Sequence, residues 1–280
     1  MRFTILFAAG TLLAATAGTP YADDAAKWRA GYETSLKAPD GWLSVAGLFW
    51  LHEGDNLLGS DPQSDVVLPA GGPKRAGVLH LSGGKVTFQN RVLKSDATAH
   101  PDVVKIGDVS LTIVERGGKT GVRLRDPNAQ TRREFTGCKW FPADASWRIN
   151  AKWVAYPQPK KIAITNILGM TDQEASPGYA EFTIQGKAPS RVARTVRLEP
   201  VEEDGGLFFI FKDATSGKST YGAGRFLDSV MPKAGVVELD FNKAYNPPCA
   251  FTAFATCPLP PKQNVMAAAI EAGEKSYGKH

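Results

Sequence analysis

The chain has 280 residues, with 33 Lys+Arg against 28 Asp+Glu, 43% hydrophobic residues and three cysteines. Its charges are interspersed, and the tightest basic pairs, Arg132-Arg133 and Lys160-Lys161, lack the aromatic interleaving of a single-strand platform, so a nucleic-acid partner is not expected. Beyond the N-terminus no run approaches the roughly 20 apolar residues of a membrane helix, and no membrane span is expected.

The first residues carry Arg2, an apolar stretch Phe3–Ala17 and small residues that allow cleavage after Ala17 or Ala22, the pattern of a secretory signal peptide over residues 1–22. No cysteine stands at the cleavage point, so lipidation is not expected. Removing this segment leaves 258 residues (280 less 22) with a net charge of +4 (32 less 28), in a periplasmic or secreted protein.

Trp28, Tyr32 and Leu36 then recur at four-residue spacing, which predicts an amphipathic helix that Pro39-Asp40-Gly41 ends. Trp42–Leu51 is a dense apolar block expected to be buried. From there to Asp240 the chain reads as short strands between Gly, Pro, Asn and Asp punctuation, the signature of an antiparallel sandwich or barrel. Val78–Leu81 with Lys85–Gln89, and Val103–Ile106 with Val109–Glu115, read as hairpins over Gly83-Gly84 and Gly107-Asp108. Thr120–Arg125, Trp147–Tyr156, Ile162–Leu168, Tyr179–Gln185, Arg191–Val201 and Val236–Phe241 continue the series. Leu207–Lys212, apolar on both faces, is expected to be a central strand. Asn264 reads as the cap of a short C-terminal helix over Val265–Lys275. The expected fold is therefore mainly β, with an N-terminal helix and a short C-terminal helix. Residues 23–280 are expected to form a single composite domain, with a possible sub-boundary near 126–144.

Two segments draw the search for chemistry. Asp213–Leu227 (DATSGKSTYGAGRFL) places Tyr221 and Arg225 in a glycine-flexed loop able to present a phenol and a guanidinium to an anion; equally, Arg225 can pair with a neighbouring carboxylate. It is not a P-loop. Asp240–Pro261 (DFNKAYNPPCAFTAFATCPLPP) puts Asp240 and Asn242 on one face at a strand end, followed by Tyr245, Asn246 and a proline-bounded loop. Cys249 and Cys257 read as a disulfide closing that loop; a reactive thiol at Cys249, an incomplete metal site with Asp240, or two reduced buried thiols remain open. Cys138 is expected beside Trp140 and Phe141. Neither CxxC nor HxxxH spacing occurs, so no metal and no cofactor are expected.

Gly59-Ser60-Asp61 with Ser64–Leu68 resembles the opening of a forkhead-associated phosphopeptide domain, but Ser60 stands where that family has arginine and its serine–histidine pair is missing. The Trp42–Leu51 block, the Gly59–Pro69 turn, Asp213–Leu227, Asp240–Pro261, Asn264 and Ala272-Gly273-Glu274 together resemble a bacterial family catalogued as domain of unknown function 1684, from about Gly41 to Glu274. That resemblance implies no activity, cofactor or catalytic residue. The leading expectation is an exported protein that binds a small polar or anionic ligand, such as a glycan or envelope fragment, through Tyr221, Arg225, Asp240, Asn242, Tyr245 and Asn246. The alternatives are a hydrolase-like enzyme with Asp213 or Asp240 as general base beside Arg225, and a structural envelope protein.

Overall fold

In a computed structural model, residues 20–185 and 193–278 are described. The expected signal peptide therefore lies outside the described residues, except for Pro20–Ala22, which open the first helix. That helix, α1 (Pro20–Leu36), carries proline at its first position, where a missing N–H costs nothing. Its Trp28 and Tyr32 rings stack 5.6 Å apart, one helical turn from each other.

The chain is mainly β. After a 3₁₀ turn at Trp42–Ser44 come β1 (Val45–Trp50), β2 (Gly54–Gly59), β3 (Val66–Val67), β4 (Gly77–Ser82), β5 (Lys85–Phe88), β6 (Arg91–Leu93), β7 (Val103–Ile106), β8 (Val109–Arg116) and β9 (Lys119–Arg125). They form two sheets, ordered β1-β9-β8-β7 and β3-β2-β4-β5-β6. Leu58, Leu79, Val86, Ile113, Val122 and Leu124 pack between them as one core. Both expected hairpins are present, with Gly83, Gly84 and Gly107 at positive φ.

A short helix, α2 (Gln130–Arg133), leads into the second half: β10 (Arg148–Thr165), β11 (Thr171–Ile184), β12 (Arg194–Leu198), β13 (Val201–Glu203), β14 (Gly206–Phe211), β15 (Arg225–Ser229) and β16 (Val236–Asp240). Their sheets run β12-β11-β10-β16 and β13-β14-β15. The two strands expected at Trp147–Tyr156 and Ile162–Leu168 are one long strand. Pro157 and Pro159 sit where its register against β11 breaks, between Ala155 and Lys160, so the missing N–H groups interrupt the pairing but not the strand. The first two residues of the strand expected at Arg191–Val201 lie outside the described residues, and the rest divides into β12 and β13.

Strand alternation sorts the second half into two faces. Leu207, Phe209 and Phe211 of β14 enter the main C-terminal core with Leu227, Leu239 and Phe241, while Phe208 and Ile210 face the opposite way. The doubly apolar strand is thus the middle strand of its sheet, as its composition requires.

The expected C-terminal helix is absent: a 3₁₀ turn at Lys262–Asn264 is followed by an extended tail. Its backbone groups are engaged elsewhere. The Met266 N–H donates to the Lys212 carbonyl, the Ala268 carbonyl accepts from the Ala214 N–H, and the carbonyls of Ile270 and Ala272 accept from the Arg225 guanidinium. A helix would withdraw those carbonyls into its own ladder. Gly273, at φ +78°, lets this tail lie against the carbonyls of Phe241 and Ala244, where a β-carbon would collide.

Candidate functional site

The residues singled out in Asp213–Leu227 and Asp240–Pro261 fall into separate clusters: Asp213 and Arg225 form a buried polar knot with the C-terminal tail, and Asp240 and Asn242 form another beneath the first helix. Arg225 is fully buried. Its Nη2 donates to Asp213 at 2.8 Å and to the Ile270 carbonyl at 2.9 Å, and its Nη1 donates to the Ala272 carbonyl. The other carboxylate oxygen of Asp213 accepts from the backbone and hydroxyl of Thr215. β15 explains the direction: Arg225 and Leu227 share one face of the strand, Phe226 and Asp228 the other.

Asp240 and Asn242 lie beneath α1. Tyr21 donates to Asp240 at 2.6 Å and accepts from Asn242 at 2.6 Å, while Arg29 donates to the carbonyls of Asn242 and Phe141. Asn246 donates through its backbone to Glu274 at 2.7 Å and through its amide to the Lys275 carbonyl, and accepts from Tyr32. Burial raises the Glu274 carboxyl to about 7, against the lowering effect of the Asn246 N–H. Tyr221 donates to the Cys249 carbonyl at 3.2 Å.

The expected Cys249–Cys257 disulfide is not found. Both thiols are free, and the Cys249 backbone N–H donates to the Cys257 sulfur at 3.1 Å. Cys138 is half-buried beside Glu274, and its thiol is pushed up by burial and by that carboxyl. Among the described residues no group of three or more His, Cys, Asp or Glu is placed to hold a metal ion, and no helix is long and apolar enough to cross a membrane.

Open space adjoins other residues, and two of the cavities lie between the two halves of the chain. One cavity of about 500 Å³ has Trp42, Arg116 and Arg123 on the N-terminal side and Ile210, Phe226 and Cys257 on the other. A second, also of about 500 Å³, is lined by Glu203, Asp228 and Tyr245. They share Trp42, Glu203, Phe208, Phe226 and Pro248, and so read as two lobes of one cleft. The same alternation that buries Arg225 turns Phe226 and Asp228 toward this cleft. In β9 it buries Val122 and Leu124 in the N-terminal core and leaves Arg123 on the opposite face. Of the residues expected to bind ligand, only Tyr245 lines the cleft, beside Cys257 from the expected disulfide.

Charge is mixed around the cleft, where Glu115, Asp172, Glu174, Glu202 and Glu203 line the first lobe together with Arg116 and Arg123. Arg116 holds Asp96 through two bonds, at 3.0 and 2.7 Å. Arg123 reaches that same carboxylate only at 3.7 Å, and its Nε and Nη2 are buried with no hydrogen-bond partner. Its guanidinium carbon lies 5.0 Å from the centre of the Trp42 ring. Burial, and then Arg116, lower the Arg123 guanidinium to about 10, so it stays charged at neutral pH. In the second lobe, burial raises Asp228 against the bond from Tyr245 at 2.9 Å, and burial with the neighbouring acids Asp204, Asp228 and Glu174 raises Glu203, which lines both lobes.

Sequence reasoning missed Arg123 because its partners are distant in the chain. Trp42 precedes β1, Arg123 sits in β9 and Cys257 follows β16, and no local motif joins them. The one available signal was Phe208 and Ile210, apolar on a face that the main core does not cover.

No curated protein sequence matches this chain. A solution NMR structure of an uncharacterised protein from Haloarcula marismortui is similar, at 27% identity over 53% of this chain and 81% of that one, with a TM-score of 0.42. A family described as "Protein of unknown function (DUF1684)" matches residues 133–275, so that the Trp42–Leu51 block and the Gly59–Pro69 turn fall outside the match. That match spans just over half of the 280 residues, and the chain belongs to this family.

Proposed function

We propose that the chain is an exported protein that binds a small anionic ligand in the cleft between its two halves, with Arg123 holding the anionic group. The single observation that carries this reading is the buried, under-partnered Arg123 at the cavity wall. Leaving a guanidinium out of water with half its donors unused costs several kcal/mol, and an anionic ligand supplies the missing acceptors. Trp42, Phe208 and Phe226 offer flat apolar faces to the body of the ligand, while Asp228 and the Tyr245 hydroxyl offer polar groups to its far end. A carboxylated sugar has this combination of ring face, hydroxyls and anion. Export is supported by Arg2, the Phe3–Ala17 stretch and the small residues that follow.

Thermal-shift and calorimetric titration with glucuronate, glucose and inorganic phosphate tests the site. Glucuronate is expected to raise the melting temperature, glucose to leave it unchanged, and Arg123→Met to remove the shift while the variant stays folded. A glucuronate shift that survives in Arg123→Met, or the absence of any shift with either anion, overturns the reading. Cell fractionation of the full chain tests export separately, with recovery in the cytoplasm at full length as the adverse result.

A further inference from the structure

The anion reading leaves one reactive cluster at the cleft wall unused. Cys249 and Cys257 are eight positions apart, yet the loop between them folds back so that the Cys249 N–H meets the Cys257 sulfur at 3.1 Å. Pro247 and Pro248 fix the entry, and a 3₁₀ turn at Pro248–Ala250 holds the backbone. Cys249 is partly exposed, Cys257 is buried, and Tyr221 anchors the first of them through its carbonyl.

We propose that Cys249 and Cys257 are a dithiol–disulfide exchange site that takes small or protein disulfides as oxidant, with Cys249 the attacking thiol and Cys257 the resolving one. The Cys249 thiolate attacks one sulfur of a disulfide RSSR. A Cys249–SR bond forms, the S–S bond of RSSR breaks, and RS⁻ leaves to take a proton from solvent. Cys257 then gives its proton to solvent and attacks the Cys249 sulfur, forming the internal disulfide and releasing the second RS⁻. In sum, two protein thiols lose two electrons and two protons, and RSSR becomes two RSH.

The surroundings divide these roles. The hydrogen bond from Cys257 lowers the Cys249 thiol to about 7, more than offsetting burial, and Tyr221 acts in the same direction. Cys257 is pushed the other way, first by its bond to Cys249 and then by burial, while Arg123 pulls it down. Once Cys249 carries an SR group its negative charge is gone. The main force holding the Cys257 proton is then removed, and the opposing pull of Arg123 remains.

The fully reduced full-length chain, incubated with glutathione disulfide, alkylated and mapped by mass spectrometry, tests this. The wild type is expected to lose two thiols into a Cys249–Cys257 cross-link with Cys138 still free. Cys257→Ser is expected to stop at a glutathione adduct on Cys249, and Cys249→Ser to react about tenfold more slowly than wild type, as a buried thiol of high pKa should. Tyr221→Phe, which keeps the ring, is expected to slow the first step without changing the product. Three free thiols in the wild type after incubation, an adduct that forms first on Cys138, or undiminished reaction in Cys249→Ser overturns the proposal. Glutathione disulfide is itself anionic, so the same mapping is run with uncharged hydroxyethyl disulfide, on which the cross-link is expected equally and the fate of the cleft reading has no bearing.

Discussion

Arg225 and Arg123 are both buried arginines on β-strands, and they do opposite things. Arg225 is surrounded by acceptors: a carboxylate it shares with no other arginine, and the carbonyls of Ile270 and Ala272, with Nε alone lacking a partner. Arg123 shares one carboxylate with Arg116 at a longer distance and leaves Nε and Nη2 unused. The first ties the C-terminal tail to the sheet. The second holds charge in reserve at a cavity wall. Burial of an arginine therefore does not distinguish scaffold from site; the count of acceptors around it does.

Mutation can break or sharpen that contrast. The largest effect is expected from Arg225→Met, which strands the Asp213 carboxylate and should lower unfolding free energy by about 3–5 kcal/mol in urea titration. A loss within about 1 kcal/mol would remove Arg225 from the scaffold. Next comes Glu274, in the same knot. Its folded-state carboxyl, at about 7, lies above the ordinary value of 4.5, so its stabilising effect is complete below about pH 4.5 and is lost as pH rises through about 7. The span corresponds to about 3 kcal/mol. Urea midpoints measured from pH 5 to pH 8 should fall more steeply in the wild type than in Glu274→Gln. Tyr21→Phe removes one hydroxyl from the Asp240–Asn242 pair and should cost about 1–2 kcal/mol by the same titration. The smallest loss is expected at Arg123→Met, which should leave stability unchanged or raise it by up to about 4 kcal/mol, because it replaces a buried guanidinium that little in the folded chain pairs with. A loss as large as that of Arg225→Met would mean that the two arginines are alike.

Much of the architecture was legible because it rests on local signals. The spacing of Trp28, Tyr32 and Leu36 reports α1, the glycine pairs report the hairpins, and the two apolar faces of Leu207–Phe211 report a central strand. The C-terminal helix was misread because alanine-rich sequence favours a helix only while its carbonyls are free to form one, and here Arg225 takes them. The long β10 was divided because Pro157 and Pro159 look like an end when read one strand at a time. The sequence groups Asp213, Arg225, Asp240 and Asn242 into one ligand site, whereas the structure pairs Asp213 with Arg225 and Asp240 with Asn242. Their polarity signalled a specified arrangement, yet composition cannot say whether the acceptors for a guanidinium come from the chain or from a ligand. That depends on strand direction, where a shift of one residue separates Arg225 from Phe226.

The two walls of the cleft stand differently to the family match. Ile210, Phe226 and Cys257 fall within residues 133–275, which match the family, whereas Trp42, Arg116 and Arg123 fall before them. A family member that shares only the matched region has no counterpart of the arginine wall. Ligand preference can then diverge by exchanging the N-terminal half, and a common family name need not mean a common ligand.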